Sequence, residues 1–372
     1  MSTLQSLYIG LISGTSIDAI DAALVDFSQP QPKLLQTHSH KIPSQLRENI
    51  ATLCTPTTSI NEIDLLGETD SALGELFAEA TLTLLKKANT PAHNITAIGS
   101  HGQTVRHRPA GMHPFTLQIA DPNIIAQRAG ITTVADFRRR DMANGGQGAP
   151  FAPAFHQAIA PDNIERCAFL NLGGIANITV IEQGKLICGY DTGPANGLMD
   201  AWINKSQQRP YDKNGDWAAS GTANEELLQR LLDEPYFALP APKSTGREYF
   251  NLDWLSDRAN ELLQALPPEN IQATLLALTT TTIANAVATH QPQAIYCCGG
   301  GVHNRALISS LDNHPALANT QLFDTSTLGI PPDWIEAAAF AWLAKQHMQG
   351  IAIDLGSVTG ARKPSVLGLR TG

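Results

Sequence analysis

Three small-residue turns recur along the chain, each following an apolar run: Ser13-Gly14-Thr15-Ser16, Leu172-Gly173-Gly174 and Gly299-Gly300-Gly301. A phosphate-holding site needs backbone N–H groups that converge on one point, and glycine lets the chain approach closely. Asp18 and Asp21 follow the first turn, and Asp191 sits in YDTGP after the second. No Walker loop is present, because G-x-x-x-x-G-K-[ST] is absent and no lysine precedes Lys33, and no dinucleotide fingerprint is convincing. Alone, SGTS reads as a polar hairpin turn. In order, however, a glycine-turn hairpin with acidic residues, a second such hairpin and a strand–GGG–helix describe a nucleotide clamped between two lobes. The hairpin turns would hold phosphates and metal; the third turn would let an adenosine pack against backbone.

The elements that must position these groups are legible in outline. Residues 7–27 read as two strands around the SGTS turn, with Ile20, Ala22 and Leu24 on one face and Asp21, Ala23 and Val25 on the other. A helical pattern runs from about Asn61 to Lys87, with Ser59 and Glu62 at capping-box spacing. Residues 96–105, 115–119 and 131–137 each look like a strand entering a polar turn, and 143–155 is a Gly/Gln-rich crossover between lobes. Residues 168–191 repeat the opening logic as three strands. Helical patterns follow at 223–233, 272–289 and 333–347. The expectation is a mixed α/β chain with two related halves, a first lobe over 1–133 on which the C-terminal tail can pack, and a second over 134–372.

At 372 residues the chain is too long for one ordinary core. With 43% hydrophobic and 16% charged residues it reads as globular rather than disordered. A net charge of -9 with scattered Lys and Arg argues against nucleic acid or an anionic membrane as the main partner. No stretch reads as long and apolar enough to span a bilayer, and no secretory signal is visible. Cys54, Cys167, Cys188, Cys297 and Cys298 are odd in number and lack C-x-x-C spacing, which fits buried thiols in a reducing compartment and a cytoplasmic location. No His/Cys cluster has zinc spacing.

The segments GLISGTSIDAIDAALVDF, GSHGQTVRHRP, ADFRRRDMANGGQGAPFAPAFHQA, LNLGGIANIT, YDTGPANGLMDAWI, APKSTGREYFN, QATLLALT, CGGGVHNRAL and GIPPDWIEAAAFAWLA closely resemble anhydro-N-acetylmuramic acid kinases, within the sugar kinase/actin/Hsp70 ATPase superfamily. The resemblance implies a two-lobed actin/hexokinase-like fold with its active site in the interdomain cleft. It also implies a homodimer, and a reaction of ATP, water and 1,6-anhydro-N-acetylmuramic acid that yields N-acetylmuramic acid 6-phosphate in cell-wall recycling. Asp191 then matches the catalytic base, where its residue type alone suggests a turn-making aspartate. Glu336, Arg139, His101 and Gln103 match sugar-site positions. Glu336 also stands three residues after Asp333, at capping-box spacing. Arg138, Arg139 and Arg140 together read as a solvated face with one structural pairing, and His101 alone as a hydrogen-bonded structural histidine. Nucleotide contact falls to Gly14, Thr15, Ser16, Ile17, Asp18, Ala19, Ile20 and Asp21, then Gly173, Gly174 and Asn177, then Gly299, Gly300, Gly301 and Asn304. Mg²⁺ arrives with ATP, held mainly by phosphates, water and carboxylates such as Asp18.

The chain departs from the family in two places, Ala19 after the first-loop aspartate and Ala195 where DTGPGN is usual. If either backbone needs a positive φ, alanine costs about 1 kcal/mol or more. Two rival readings are a kinase acting on an ordinary hexose hydroxyl and a non-catalytic sugar-sensing or actin-like ATP-binding protein. The first strand starts near residue 7, which leaves no room for an N-terminal DNA-binding domain.

Overall fold

The computed structural model describes residues 6–14, 16–55 and 61–372. Thr15 and Ser59 therefore lie outside the described residues; the helix expected from Asn61 runs over Glu62–Lys87 with Asn61 at its N-cap. The chain divides into two compact units. Unit 1 runs to Ile159 and takes back Leu328–Ile330 and Trp334–Gly372; unit 2 holds Ala160–Thr327 and Pro331–Asp333.

Unit 1 carries β1 (Leu7–Ser13), β2 (Ala19–Asp26), β3 (Lys33–Lys41), β4 (Ile95–Ser100) and β7 (Thr133–Ala135), together with a separate hairpin of β5 (Gln103–Arg108) and β6 (Phe115–Ile119). Its main sheet has the order Leu369–Thr371, β7, β4, β1, β2, β3. β1–β2 and β2–β3 are antiparallel, and β1–β4 and β4–β7 are parallel. Unit 2 holds β8 (Arg166–Leu172), β9 (Ile175–Glu182), β10 (Lys185–Pro194), β11 (Ala294–Cys298) and β12 (Gln321–Asp324). Its sheet order is β10-β9-β8-β11-β12, with β8–β9–β10 antiparallel and β8–β11–β12 parallel. Each half is thus a three-stranded meander followed by two parallel strands beside the first of them, the duplication that the two glycine hairpins announce.

Both faces of the unit 1 sheet are covered. Ile9, Leu11, Ile20, Ala22 and Leu24 pack against Leu73, Phe77 and Leu84 of the long helix in one core cluster. Ala23 and Val25, on the opposite face, are equally buried. That face takes the helix Ile335–Met348. A Cβ on Gly10 would lie 1.7 Å from the carbonyl oxygen of Ala337, and one on Gly99 would lie 1.9 Å from that of Phe340. Glycine is required at both positions because helix backbone occupies the place of a side chain.

This packing moves the expected boundary. The division falls after Ile159, not after 133, because β7 completes the sheet and the helices Phe137–Ala143 and Ala152–Ile159 stay with it. The C-terminal tail packs on the first unit as expected, but from Trp334 onward, and Leu369–Thr371 closes the sheet edge against β7. A second expectation changes as well. The helix Pro268–Ala288 has the length and hydropathy of a membrane span, but 67% of that window is buried, with Ile283, Ala284 and Val287 in the core of unit 2. The cysteines are free; Cys167, Cys297 and Cys298 are buried, whereas Cys54 and Cys188 are only half-buried.

Gly99→Ala should destabilise the protein by about 1–3 kcal/mol or more, since the new methyl overpacks against rigid backbone. Gly67→Ala, in an exposed helical position with nothing within 4 Å of the added atom, should be neutral or stabilising by up to about 1 kcal/mol. Paired denaturant titrations check both.

Candidate active site

In unit 1 the groups singled out by sequence gather where parallel β1 and β4 end. Strand order reverses about β1, and in open α/β sheets the carboxyl ends at such a switch point form the usual crevice. Ser13 ends β1, and its hydroxyl donates to Oε1 of Gln103 at 2.6 Å; the Ser13 N–H donates to the carbonyl of Gly102 at 3.3 Å. Gln103 also gives its amide to the Thr104 carbonyl at 3.1 Å, so it braces the first loop. Beyond Gly14, the Ile17 N–H returns to the Gly14 carbonyl at 3.2 Å, and Ile17 has φ 54. A β-branched residue in the left-handed region is a strained conformer, of the kind found at ligand-binding loops. Ser16 donates to the exposed Asp18 carboxylate. Asp21, by contrast, sits within β2, paired with Ile12 and Ser39.

Ala19 has no positive φ, and Ala195 has φ -122. Neither alanine therefore stands in the left-handed region where a side chain is penalised.

The arginine that the fold brings inward is Arg138. Arg139 has a side chain 57% exposed and pairs with Asp136 at 2.8 Å, while Arg140 is exposed. Arg138 Nε donates to His101 Nε2 at 3.0 Å, and His101 Nδ1 donates to the Gly102 carbonyl at 2.9 Å. Those two bonds fix a neutral imidazole. Burial, then the Arg138 charge, push the His101 pKa down to about 3. His101 therefore holds Arg138, with its ring 4.9 Å from that of Phe340. Burial lowers the Arg138 pKa to about 10, with Glu336 opposing. Glu336 is crowded by protein yet keeps solvent-accessible surface, and that surface decides whether a ligand can reach it. The crowding raises its pKa, Arg138 lowers it, and Asp21 raises it further.

The capping box expected at this helix does not form. Trp334 is the N-cap without a side-chain bond, because the Asp333 carboxylate pairs with His303 at 2.8 Å.

In unit 2 the Gly173-Gly174 turn joins β8 to β9. The N–H groups of Ala195 and Gly197 donate to the Gly174 carbonyl at 3.0 Å each, and that of Asn196 to Gly173 at 3.1 Å. The first turn of the helix Asn196–Gln207 therefore holds the loop from behind. Asn177 lies in β9, in register with Asn171 on one side and Asp191 on the other. At the third turn, added Cβ atoms would meet Asn171 from Gly299 and Leu172 and Asn196 from Gly301, while Gly300 faces open space. The Asn304 side chain is the N-cap of the helix Arg305–Asp312, accepting from the Leu307 N–H at 3.1 Å.

Asp191 is the best-prepared acid of this unit. Its Oδ2 accepts from Ser244 Oγ at 3.0 Å and from the Thr245 N–H at 2.9 Å. Its carbonyl accepts from Tyr236 Oη at 2.9 Å. Among the described residues nothing donates to Oδ1. Burial raises its pKa, the Thr245 and Ser244 bonds lower it, and Glu248 raises it.

The strap that supplies Ser244 and Thr245 carries chemistry that residue types alone do not reveal, although APKSTGREYFN stands out as a polar run between helices. Glu234 anchors its flanks: its carboxylate, 1% exposed, accepts from the Tyr236 N–H, Tyr249 Oη, Trp254 Nε1 and Arg258 Nη2 at 3.2, 2.7, 2.8 and 2.5 Å. An open pocket of ≈ 530 Å³ adjoins it, lined among others by Tyr236, Ser244, Thr245 and Glu248. Among the described residues no group of three His, Cys, Asp or Glu side chains is placed to hold a metal ion.

Two α/β units of one topology, each opening on a glycine-turn hairpin, define the class: the actin/hexokinase-like ATPase fold. The family described as anhydro-N-acetylmuramic acid kinase matches residues 6–371, and the chain belongs to it. Relatives of that name include one from Saccharophagus degradans, 50% identical over 372 residues and covering 98% of each chain. One from Coxiella burnetii is 52% identical over 97% of this chain and 96% of its own, and one from Shewanella halifaxensis is 49% identical over 98% of each.

The arginines separate by position. Arg138→Met should lower kinase kcat/KM by at least about tenfold, since a charge-assisted contact is worth about 1.5–3 kcal/mol. Arg139→Met should stay near wild type in rate and within about 0.5 kcal/mol in stability. Side-by-side steady-state kinetics and melts decide.

Proposed function

We propose that this kinase couples hydrolytic opening of the 1,6-anhydro bridge of 1,6-anhydro-N-acetylmuramic acid to transfer of the γ-phosphoryl group of ATP, with Asp191 as general base. The supporting observation is the Asp191 carboxylate itself, fixed through one oxygen by Ser244 and Thr245, with the other oxygen unpartnered and its pKa raised. Water attacking the anomeric carbon gives its proton to Oδ1, and the bond from that carbon to O6 breaks. O6 bonds to the γ-phosphorus as the bond to the β-phosphate oxygen breaks, which yields the 6-phosphate and ADP. Capture of O6 by phosphorus replaces the second carboxylic acid that ordinary glycosidases use to protonate a leaving group. Water then approaches from the face opposite O6.

Arg138 and Glu336 are assigned to the sugar, the guanidinium suiting a carboxylate and the glutamate suiting hydroxyl donors. The strained Ile17 turn and the Gly173-Gly174 turn are assigned to the phosphates. Mg²⁺ enters with ATP; the exposed Asp18 carboxylate would offer it a hard oxygen donor, and the bound metal would supply charge neutralisation for the phosphates.

A single turnover in ¹⁸O-labelled water with Mg-ATP and the anhydro sugar should give a 6-phosphate labelled at its anomeric hydroxyl, read by mass spectrometry before exchange. Faster phosphorylation of an ordinary hexose, with the anhydro sugar untouched, would replace this reading by that of a general sugar kinase. Asp191→Asn should abolish turnover and keep sugar binding. A base works only when ionised, so kcat/KM should fall as pH drops through the raised Asp191 pKa, above the ordinary value of 3.8. Ser244→Ala removes a bond that favours the ionised form and should move that acid limb to higher pH.

A further inference from the structure

Transfer of a phosphoryl group concentrates negative charge, and fixed cations aimed at that charge are among its strongest stabilisers. Neither SGTS nor LGG contains a lysine or arginine. The strap supplies one. Lys243 pins its start, donating from Nζ to the carbonyls of Tyr236 and Phe237 at 3.1 and 3.0 Å, and Ser244 and Thr245 hold the Asp191 carboxylate.

Arg247, two residues past Thr245, turns to the second glycine loop. A methyl on Gly174 would lie 2.3 Å from its Nε and 2.5 Å from Nη2; one on Gly197 would lie 3.3 Å from Nε. Two glycines on two different elements thus make room for one guanidinium against their backbones. Among the described residues no carboxylate lies within ion-pairing distance of Arg247, and the residue is exposed, so its charge is open to a ligand.

We infer that Arg247 is the phosphate-binding cation of the second glycine loop, contacting the terminal phosphates of ATP from the same strap that holds the base. The inference rests on the kinase reading above. The planar fork of a guanidinium matches two phosphate oxygens, whereas an ammonium offers a single point of charge. Asp200 shows the field of that charge: burial lifts its pKa to about 6, Arg247 pulls it down, and Asp212 pushes it up.

Nucleotide binding without sugar tests the contact separately from the acceptor. Full-length wild type, Arg247→Ala and Arg247→Lys are titrated calorimetrically with a non-hydrolysable ATP analogue and with AMP. The expected result is a loss of at least about tenfold in affinity for the ATP analogue in Arg247→Ala, with AMP binding unchanged and Arg247→Lys intermediate. In turnover, added guanidinium ion should restore part of the Arg247→Ala rate. Equal weakening of both nucleotides, or of neither, overturns the inference and marks Arg247 as a brace of the Gly174 turn. Arg247→Gln carries the same test if the alanine variant does not fold. Because the ratio of the two affinities involves no acceptor, it stands even if the anhydro sugar proves not to be the substrate.

Discussion

The contact on which unit 1 depends is between backbone and backbone: the carbonyls of Ala337 and Phe340 occupy the space where Gly10 and Gly99 would carry side chains. Such closeness fixes the depth of the helix Ile335–Met348 on the sheet, and with it the height of Glu336. From that height follow the opposing charges of Arg138 and Asp21 on Glu336, and the seating of His101 against Phe340. A side chain at either glycine would lift the helix and separate the carboxylate from the arginine. Packing and electrostatics are here one constraint.

Unit 2 reaches a comparable result with hydrogen bonds. The loop carbonyls of Gly173 and Gly174 receive the N–H groups of residues 195–197, and the strap closes over Asp191 from the other side. An aspartate with one oxygen tied is oriented, and among the described residues nothing donates to the other. Burial adds basicity. These properties come from two separate stretches of chain, β10 and the strap, while the helix Asn196–Gln207 holds the glycine loop.

Much of this was legible in the residues. Alternation in 20–25, the Gly turns and the strand–GGG–helix all gave correct elements, because hairpins and glycine turns are local and their signals lie within a few residues. The residue type of His101 alone suggests the hydrogen-bonded structural histidine that the structure contains, beside the sugar-site role implied by the resemblance. What escaped depends on distance along the chain. The return of the C-terminal tail to the first lobe accords with the expectation, but how far back it reaches, to Trp334, and how far the first unit extends, to Ile159, have no local signature. Which of three adjacent arginines turns inward to His101 depends on about 100° of helical rotation per residue, which three identical neighbours cannot reveal. The Asp333–Glu336 spacing looked like a cap, but His303 took the aspartate. Ser244 and Thr245 carry no catalytic mark of their own; only the fold brings them to Asp191.

The interrupted first unit has a bearing on how the chain comes into being. Unit 2 is nearly continuous in sequence, whereas unit 1 lacks its covering helix and its closing edge strand until residues 334–372 have been made. Synthesis runs from the N-terminus, and domains generally fold as units in that order. Here the segment made second has all its parts before the first unit does, since the helix that covers one face of the opening sheet lies beyond it in the chain. Glu336 is made only after every residue of unit 2. A chain released early would carry Asp191 and its strap, but not the carboxylate assigned to the sugar.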